Sequence, residues 1–311
     1  MRVLFIGTGE IGVPVLRSLL NSKEHELVGV VTQPDKPVGR TQRIEAPAIK
    51  AALAGSTLPI LQPERIKRET AVGEICALAP DVVVVMAYGQ ILPRSVLEVP
   101  RVACFNLHAS LLPRHRGAAP IQAAIAAGDR ESGITVMYMD EGLDTGDIML
   151  QSRLEIATHE TGGSLHDRLA QIAPSALKEA LLLLQGGNAP RVPQDSSAAT
   201  YAPKLERENG RIDWTESATV TERKIRAFNP WPGAFTILRD EAGREQKLKI
   251  FSANVVAAAK AAPGEVFRSD GSIVIAANDG ALSLGEVQLE GKRRMRVAEF
   301  LRGHAMPPRI A

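Results

Sequence analysis

VACFNLHASLLPRHRG, at residues Val102–Gly117, passes from an apolar run typical of a buried strand into a basic loop broken by proline. Side chains alternate between the faces of a strand, so Asn106 and His108 share one face, whereas Phe105 and Leu107 point to the other, towards a core. Open α/β sheets bind ligands at the carboxyl ends of their strands, where this amide and imidazole stand. The pair therefore predicts a functional site, although these residues alone also fit a core histidine held by a neighbour.

The segments around this strand alternate between apolar strands and helices. Strands are predicted at MRVLFIG, ELVGVVTQ, DVVVVMAYG, GITVMYM and DIMLQSRLEI, and a long helix at TGGSLHDRLAQIAPSALKEALLLLQGG closes the series. Such alternation predicts an α/β fold, a mostly parallel sheet with helices on both faces.

A polar segment, GGNAPRVPQDSSAATYAPK, follows the long helix and predicts a linker because proline, serine and glycine are concentrated in it. Beyond it, short apolar segments separated by turn residues predict a small β-barrel or sandwich. We therefore expect an α/β domain at residues 1–186, a linker at 187–206 and a C-terminal β domain at 207–311.

The composition excludes several classes of protein. Hydrophobic residues at 45% and charged residues at 23% are typical of a globular chain with a real core. The longest apolar runs have the length of strands, and no secretory leader is visible, so we expect a cytoplasmic protein without a membrane partner. Cys76 and Cys104 lie in apolar surroundings and are expected to be reduced core residues, and no histidine spacing indicates a metal.

The net charge of +2 hides an asymmetry between the two halves of the chain. Residues 1–203 carry 19 Lys and Arg against 21 Asp and Glu, whereas residues 204–311 carry 18 against 14. A basic second half indicates a polyanionic partner, although a solvated basic face fits this charge equally well.

The first strand is followed by a glycine turn in which Gly7, Gly9 and Gly12 fit the dinucleotide pattern G-x-G-x-x-G. An NAD-dependent oxidoreductase would carry an acidic residue at the end of the second strand, where this chain has Thr32-Gln33-Pro34 and Asp35 comes only after the proline. Backbone packing or a bound anion therefore explains the glycines better than NAD does.

The loop DEGLDTGDI, Asp140–Ile148, carries three aspartates and two glycines directly after a buried strand of the same sheet. Turn chemistry explains one or two of these aspartates. An aspartate that reaches His108 would orient the imidazole and favour its protonated form, as in acid–base catalysis. Because no Ser or Cys stands in a nucleophile elbow, a covalent acyl-enzyme is not indicated.

The segment QPDKPVGRTQRIEAP is a long loop that carries Lys36, Arg40 and Arg43. Long loops inside an α/β domain are commonly functional. This one leaves the same edge of the sheet as His108, and almost no apolar side chain anchors it, so we expect it to be mobile until a partner orders it. A nucleic-acid backbone suits it, because an Arg fork binds phosphate bidentately.

FNLHASLLPRHRGAAP together with DEGLDTGDI resembles the signature of the folate-dependent formyltransferases, which transfer the formyl group of 10-formyltetrahydrofolate to an amine. Through TQPDKPVGR and RAFNPWPGAF the resemblance extends over the whole chain to those members whose acceptor is methionyl initiator tRNA. It implies a Rossmann-like N-terminal domain that uses no NAD, an OB-like C-terminal barrel that contacts tRNA, and a role in translation initiation. We expect a monomer that needs no metal.

The resemblance also assigns roles to individual residues. It implies that the catalytic residues are Asn106, His108 and Asp144. It implies a folate site at two strand ends, in Ser110, Leu111, Leu112, Pro113, Met86, Tyr88 and Gly89. The basic loop is then the tRNA-binding element, through Lys36, Arg40 and Arg43.

Two alternatives to this function remain open. A formyltransferase that acts on a small amine, such as an amino-sugar nucleotide, would share the same catalytic residues, but it would have no use for the basic loop at Lys36–Arg43. A non-enzymatic protein could bind RNA through the C-terminal domain alone, but aromatic residues make up only 4% of the chain and no aromatic RNA-binding platform is visible.

Overall fold

The computed structural model describes residues 1–39, 42–239, 243–257, 261–269 and 271–310. The chain divides into two compact units. The first unit comprises Met1–Pro120, Glu131–Leu154 and His166–Ala202, and the second comprises Ile121–Arg130, Glu155–Leu165 and Pro203–Ala311.

The described residues form short strands and mostly short helices. The strands up to residue 202 are β1 Arg2–Gly7, β2 Glu26–Val31, β3 Lys36–Val38, β4 Arg43–Glu45, β5 Ile60–Leu61, β6 Val82–Met86, β7 Ala103–His108, β8 Arg116–Gly117, β9 Glu131–Tyr138, β10 Ile148–Glu155 and β11 Tyr201–Ala202. The helices in the same range are α1 Val13–Leu20, α2 Ala48–Ala51, α3 Glu69–Ala77, α4 Arg94–Leu97, α5 Pro120–Ala127 and α6 Gly162–Gln185.

Seven of these strands form one sheet in the order β10-β9-β7-β6-β1-β2-β5. Strand β6 lies near its centre and is buried along its whole length, with Val84 between Phe5 of β1 and Phe105 of β7. Both phenylalanines are fully buried. A strand covered on both faces reads as a continuous apolar run, which is why VVVVM marks it in the sequence. The pairs from β7 through β6, β1 and β2 to β5 are parallel, so the prediction of a mostly parallel α/β sheet is confirmed.

Strand β9 runs antiparallel to β7, which the sequence reasoning did not anticipate. Its register pairs His108 with Thr135 and Phe105 with Tyr138, the last residue of β9. The acidic loop that follows β9 therefore starts beside the earlier residues of β7, and not at the His108 end of that strand. It must fold back along the sheet to bring an aspartate near His108.

The glycine turn after β1 is explained by packing. A Cβ on Gly7 would lie 2.7 Å from the Phe5 ring and 2.8 Å from the carbonyl oxygen of Met86. The N–H groups of Thr8 and Gly9 donate to the carbonyl oxygen of Ala87, at 3.2 and 3.3 Å. The backbone donors that would hold a pyrophosphate are thus used within the protein, in support of the packing interpretation.

A β-hairpin stands where the sequence predicts an irregular loop. Strands β3 and β4 pair antiparallel, from Lys36–Glu45 at the base to Val38–Arg43. All residues of both strands are exposed. The prediction of a loop without secondary structure is wrong for these residues. Arg40 lies outside the described residues.

Beyond residue 202, the described part of the second unit contains two short α-helices and an antiparallel sheet. Its elements are α7 Ala218–Ala227, β12 Phe235–Arg239, β13 Glu245–Val256, β14 Val266–Ser269, β15 Ser272–Ala276, β16 Ala281–Leu289, β17 Met295–Arg296 and α8 Val297–Phe300. The strand order is β12-β13-β16-β15-β14, with β17 on β16, and the sheet curls into a half-barrel around buried Leu248, Ile250 and Ile273. The predicted small C-terminal β domain is confirmed.

The two cysteines differ in their surroundings. Cys104 on β7 is buried, and burial raises the pKa of its thiol to about 12. Cys76 is exposed, because the buried face of α3 is formed by Ala71 and Ile75, so its prediction as a core residue is wrong. Within the part of the chain that the structure describes, no helix combines the length and apolar character needed to cross a membrane.

Candidate active site

Asn106 occupies β7 between Val85 of β6 and Met137 of β9. Asn106 is half-buried, and its side-chain amide forms no hydrogen bond, as donor or acceptor, with any part of the chain that the structure describes. Phe105 and Leu107 on the opposite face are buried, as the alternation predicts. The Asn106 amide is therefore held by the most buried part of the sheet and keeps its two N–H donors available for a ligand.

His108, two residues further on, is 5% exposed and is held at both ring nitrogens. Its Nε2 lies 2.9 Å from the carbonyl oxygen of His115, and its Nδ1 lies 3.6 Å from Oδ2 of Asp144. A carbonyl oxygen can only accept, so Nε2 carries a hydrogen and donates it. Nδ1 is thus the ring nitrogen that faces the Asp144 carboxylate.

Asp144 is the aspartate of the acidic loop that reaches His108. Its backbone adopts a left-handed conformation with φ +53°, and its carboxylate accepts a hydrogen bond from the N–H of Gly117 at 2.8 Å. The side chain is 14% exposed. Although β9 runs antiparallel, this turn of the backbone sends the carboxylate back towards the end of β7.

The other two aspartates of the loop have different partners. Asp140 accepts hydrogen bonds from the N–H of Gly142 and the hydroxyl of Thr145, which is the turn chemistry considered for the whole loop. Asp147 lies 4.0 Å from Arg191. The structure thus separates the three aspartates, a distinction that the sequence pattern leaves open.

The segment Ser110–Pro113, where the resemblance implies a folate site, is held in place by two side-chain hydroxyls. The hydroxyl of Ser110 donates to the carbonyl of Arg114 at 2.7 Å. The Thr135 hydroxyl donates to the Ser110 carbonyl at 2.6 Å and accepts from the N–H of Leu112 at 3.1 Å. Leu111 and Pro113 are half-buried, whereas Ser110 and Leu112 are buried. Leu111 and Pro113 are therefore the side chains that keep surface for a ligand.

At the end of β6 the three residues of the implied folate site differ in exposure. Met86 and Tyr88 are buried in the core, and burial raises the pKa of the Tyr88 phenol to about 12. Gly89 is exposed with φ +84°, and among the described residues none beyond its two chain neighbours has an atom within 4 Å of the position of a Cβ. Any contact with a ligand here is made by the backbone around Gly89, not by the two larger side chains.

Lys36 and Arg43 project from the exposed hairpin of β3 and β4. The hairpin is joined to the rest of the first unit by polar groups at its base. Lys50 donates to both carboxylate oxygens of Asp35, at 2.9 and 2.8 Å, and Gln62 donates to the same carboxylate at 2.8 Å. These hydrogen bonds, that of Gln62 first, lower the pKa of Asp35.

Sequence reasoning missed the residues that brace the two loops at the site. Thr135, read as a strand residue, fixes Ser110 and Leu112. Gln194 and Thr200, read as parts of a linker, bind the loops around Asp144 and His115. No local pattern marks these roles, because each contact joins residues far apart in the chain.

Two family models match the chain. Formyl transferase covers residues 1–181, and Formyl transferase, C-terminal domain, covers residues 204–305. A methionyl-tRNA formyltransferase of Akkermansia muciniphila is 45% identical over 98% of this chain and 97% of its own length. The chain belongs to the formyl transferase family. Another methionyl-tRNA formyltransferase, from Pseudomonas putida strain GB-1, is 46% identical over 96% of this chain and 95% of its own length.

Solved structures share the fold of this formyl transferase at lower identity. WlaRD, a sugar 3N-formyl transferase crystallised in the presence of dTDP and 5-N-formyl-THF, is similar with a TM-score of 0.66 and 16% identity over 94% of this chain and 99% of that one. HypX from Aquifex aeolicus in complex with tetrahydrofolic acid has a TM-score of 0.63 and 21% identity. It is matched over 99% of this chain but only 49% of that one.

Proposed function

We propose that this chain transfers the formyl group of 10-formyltetrahydrofolate to the α-amino group of methionyl initiator tRNA. The observation that carries the proposal is 45% identity, over 98% of the chain, to a protein named methionyl-tRNA formyltransferase. Both family models find their match in the chain, so the similarity is not confined to the α/β domain. The product is formylmethionyl-tRNA, which serves translation initiation.

Asn106 supplies the oxyanion donor in this proposal. The neutral amine attacks the formyl carbon, a new N–C bond forms, and negative charge develops on the formyl oxygen. An N–H donor that is already oriented stabilises that charge without reorganisation. The Asn106 amide meets this requirement, because the sheet fixes its backbone and its donors have no partner in the described residues.

His108 and Asp144 manage the proton in this proposal. A free α-amine has a pKa of about 7.7–8.0, so much of the acceptor is protonated at neutral pH and must lose a proton to react. The bond from the formyl carbon to N10 then breaks, and that nitrogen takes up a proton. Nδ1 of His108 and Oδ2 of Asp144 lie 3.6 Å apart, and we assign to this pair the transfer of the proton from the attacking amine to N10 of the folate.

The folate donor would bind between the two strand ends. The segment Ser110–Pro113 is rigidly held, with Leu111 and Pro113 retaining surface, and the backbone around Gly89 is open. Apolar walls with a few backbone polar groups suit a flat heteroaromatic ring. When bound, the donor supplies the activated formyl group, and the residues of the chain orient it.

The cations of the hairpin and of the second unit would bind the tRNA. Lys36 and Arg43 are exposed on β3 and β4, and Arg40 lies between them in sequence. In the second unit, Lys247 lies over the ring of Phe235 at 3.7 Å and Arg294 over that of Phe251 at 4.3 Å. The rings hold these two cations in place, and positive charge at fixed positions suits the phosphates of a nucleic-acid backbone.

We also propose that the enzyme works as a cytoplasmic monomer, with an α/β catalytic domain at residues 1–186, a connection at 187–206 and a tRNA-binding domain at 207–311. The family models, at residues 1–181 and 204–305, support this division. Sedimentation velocity of the free protein, and of a mixture with tRNA, would show a dimer if the proposed stoichiometry is wrong.

The function is tested by following labelled formyl from 10-formyltetrahydrofolate to three acceptors: charged initiator tRNA, charged elongator methionine tRNA and an amino-sugar nucleotide. We expect efficient transfer to the initiator and little to the other two. Preference for the amino-sugar nucleotide would identify the enzyme as a small-amine formyltransferase and contradict the proposal.

A further inference from the structure

The segment around Gln194 reads as a linker in the sequence but forms part of the first unit in the structure. Val192 bridges to Ile148, and β11 pairs with β8. Between these two contacts, the side chain of Gln194 joins both loops of the candidate active site. We propose that Gln194 is a positioning residue of this site, which acts by holding Asp144 beside His108. This inference rests on the proposed function, since it assigns Asp144 a part in formyl transfer.

The amide of Gln194 uses both of its ends. Its Nε2 donates to the carbonyl oxygens of Asp144 and Gly146, at 2.9 and 2.7 Å. Its Oε1 accepts from Nε and Nη2 of Arg116, at 3.0 and 2.8 Å. A primary amide offers two donors on nitrogen and two lone pairs on oxygen, which match these four contacts.

The carbonyl contacts stabilise an unusual stretch of backbone. Asp144 has φ +53°, in the left-handed region that favours glycine. Gly146 lies so close to the Tyr138 carbonyl oxygen that a Cβ would stand 1.8 Å from it. A loop in this conformation needs external contacts to keep it. The Gln194 amide supplies two of them, one on each side of Thr145.

Arg116 and Gly117 close a ring of contacts. Arg116 is 3% exposed and holds Oε1 of Gln194, while the next N–H along the chain, that of Gly117, donates to the Asp144 carboxylate at 2.8 Å. Gln194 therefore holds the carbonyl group of Asp144, and Gly117 holds its carboxylate. Arg116, which precedes Gly117, in turn binds Gln194. Release of the amide contacts would free the Asp144 backbone and weaken its carboxylate contact with Gly117 and His108.

Gln194→Glu tests the inference with little change in shape. The carboxylate still accepts from Arg116, now as an ion pair, but turns an oxygen towards the carbonyl oxygens of Asp144 and Gly146, so the loop is released. We expect kcat for formyl transfer to fall by about 10–50-fold, because a displacement of about 1 Å in a site has effects of this size, with KM for both substrates within about threefold. Ile75→Val, a buried truncation in the same unit, is the control for a general loss of stability.

A double-mutant cycle tests whether the effect passes through Asp144. If it does, Gln194→Glu lowers kcat by less than about twofold when added to Asp144→Asn, since the partner it positions is already disabled. If the loss of kcat in the double variant equalled the product of the losses in Gln194→Glu and Asp144→Asn, the inference would be overturned. Equal loss of kcat in Ile75→Val at matched melting temperature would overturn it as well.

The amide of Gly117 gives a readout that needs no substrate. Its hydrogen exchange, followed by NMR, is expected to rise by about tenfold or more in Gln194→Glu and Gln194→Met, towards that in Asp144→Ala, while the melting temperatures stay comparable. Unchanged Gly117 protection in both variants would refute the inference. If the wild-type enzyme formylated no methionyl-tRNA, the proposed function would fail, whereas this exchange would still decide whether Gln194 holds Asp144.

Discussion

The loops around His108 and the β3–β4 hairpin belong to the same unit but are built in opposite ways. Around His108 and Asp144 nearly every polar group has a partner, and the side chains are 6% and 14% exposed. The hairpin exposes all the residues of its strands and is held at its base by Asp35, Lys50 and Gln62. Reacting groups require fixed positions, whereas a surface that meets a large partner can remain open.

The largest expected effect lies in the rigid region. We predict that Asn106→Ala and His108→Ala each lower kcat by about 10²–10³-fold or more, the range for loss of an oxyanion donor or an acid–base group. Steady-state formyl transfer at saturating substrates measures this. Asn106 is half-buried and its side chain has no partner among the described residues, so Asn106→Ala should preserve the melting temperature, whereas His108→Ala should lower it because the His115 carbonyl loses its donor. If Asn106→Ala kept the wild-type kcat and melting temperature, Asn106 would not be a catalytic residue.

Asp144→Asn separates charge from shape in the same region. The amide oxygen can still accept the N–H of Gly117, but no negative charge faces Nδ1 of His108, so we expect kcat to fall by about 10²-fold. Asp140→Asn is the matched control, since Asp140 only closes the turn of the same loop. Comparable losses in the two variants would indicate that the loop, and not the charge at Asp144, matters.

The rigid region also shows what the sequence could not reveal. Apolar runs predict the strands because burial leaves a local pattern in the sequence. The direction of β9 leaves no such pattern, and the short helix α5 before it suggests the crossover of a parallel strand. Three aspartates in one loop all fit turn chemistry, and only the fold separates Asp144 from Asp140. Gln194 reads as part of a polar linker, because its partners lie some 50 or more residues away.

The hairpin is expected to affect recognition and leave the chemistry unchanged. Arg40→Ala should lower kcat/KM for charged initiator tRNA by about 10–100-fold, with little rescue by Arg40→Lys, because a lysine cannot form the bidentate contact. Folate affinity should not change, and preference over elongator tRNA should decrease. Arg94→Ala, an exposed arginine paired with Glu98 in the same unit, is the control. Equal discrimination of the two tRNAs by wild type and Arg40→Ala would contradict this role.

The smallest expected effect concerns the base of the hairpin at acid pH. Hydrogen bonds from Gln62 and Lys50 hold the pKa of Asp35 below its ordinary value of 3.8. A lowered pKa in the folded state means that Asp35 stabilises the fold above its ordinary pKa and that this contribution is lost as the pH falls through the lowered pKa. Asp35→Asn should therefore lower the melting temperature at pH 6 by no more than about 2 °C, with a smaller difference at pH 3. A difference in melting temperature between wild type and Asp35→Asn that grows as the pH falls would contradict this prediction.

The separation of chemistry from recognition is tested most directly by single-turnover formyl transfer with enzyme and 10-formyltetrahydrofolate both saturating over charged initiator tRNA. We predict a rate at least about 10²-fold below wild type for Asn106→Ala and a rate within about threefold of wild type for Arg43→Ala, whose defect should appear only below saturation. A slow saturated rate in Arg43→Ala, or a normal one in Asn106→Ala, would contradict it.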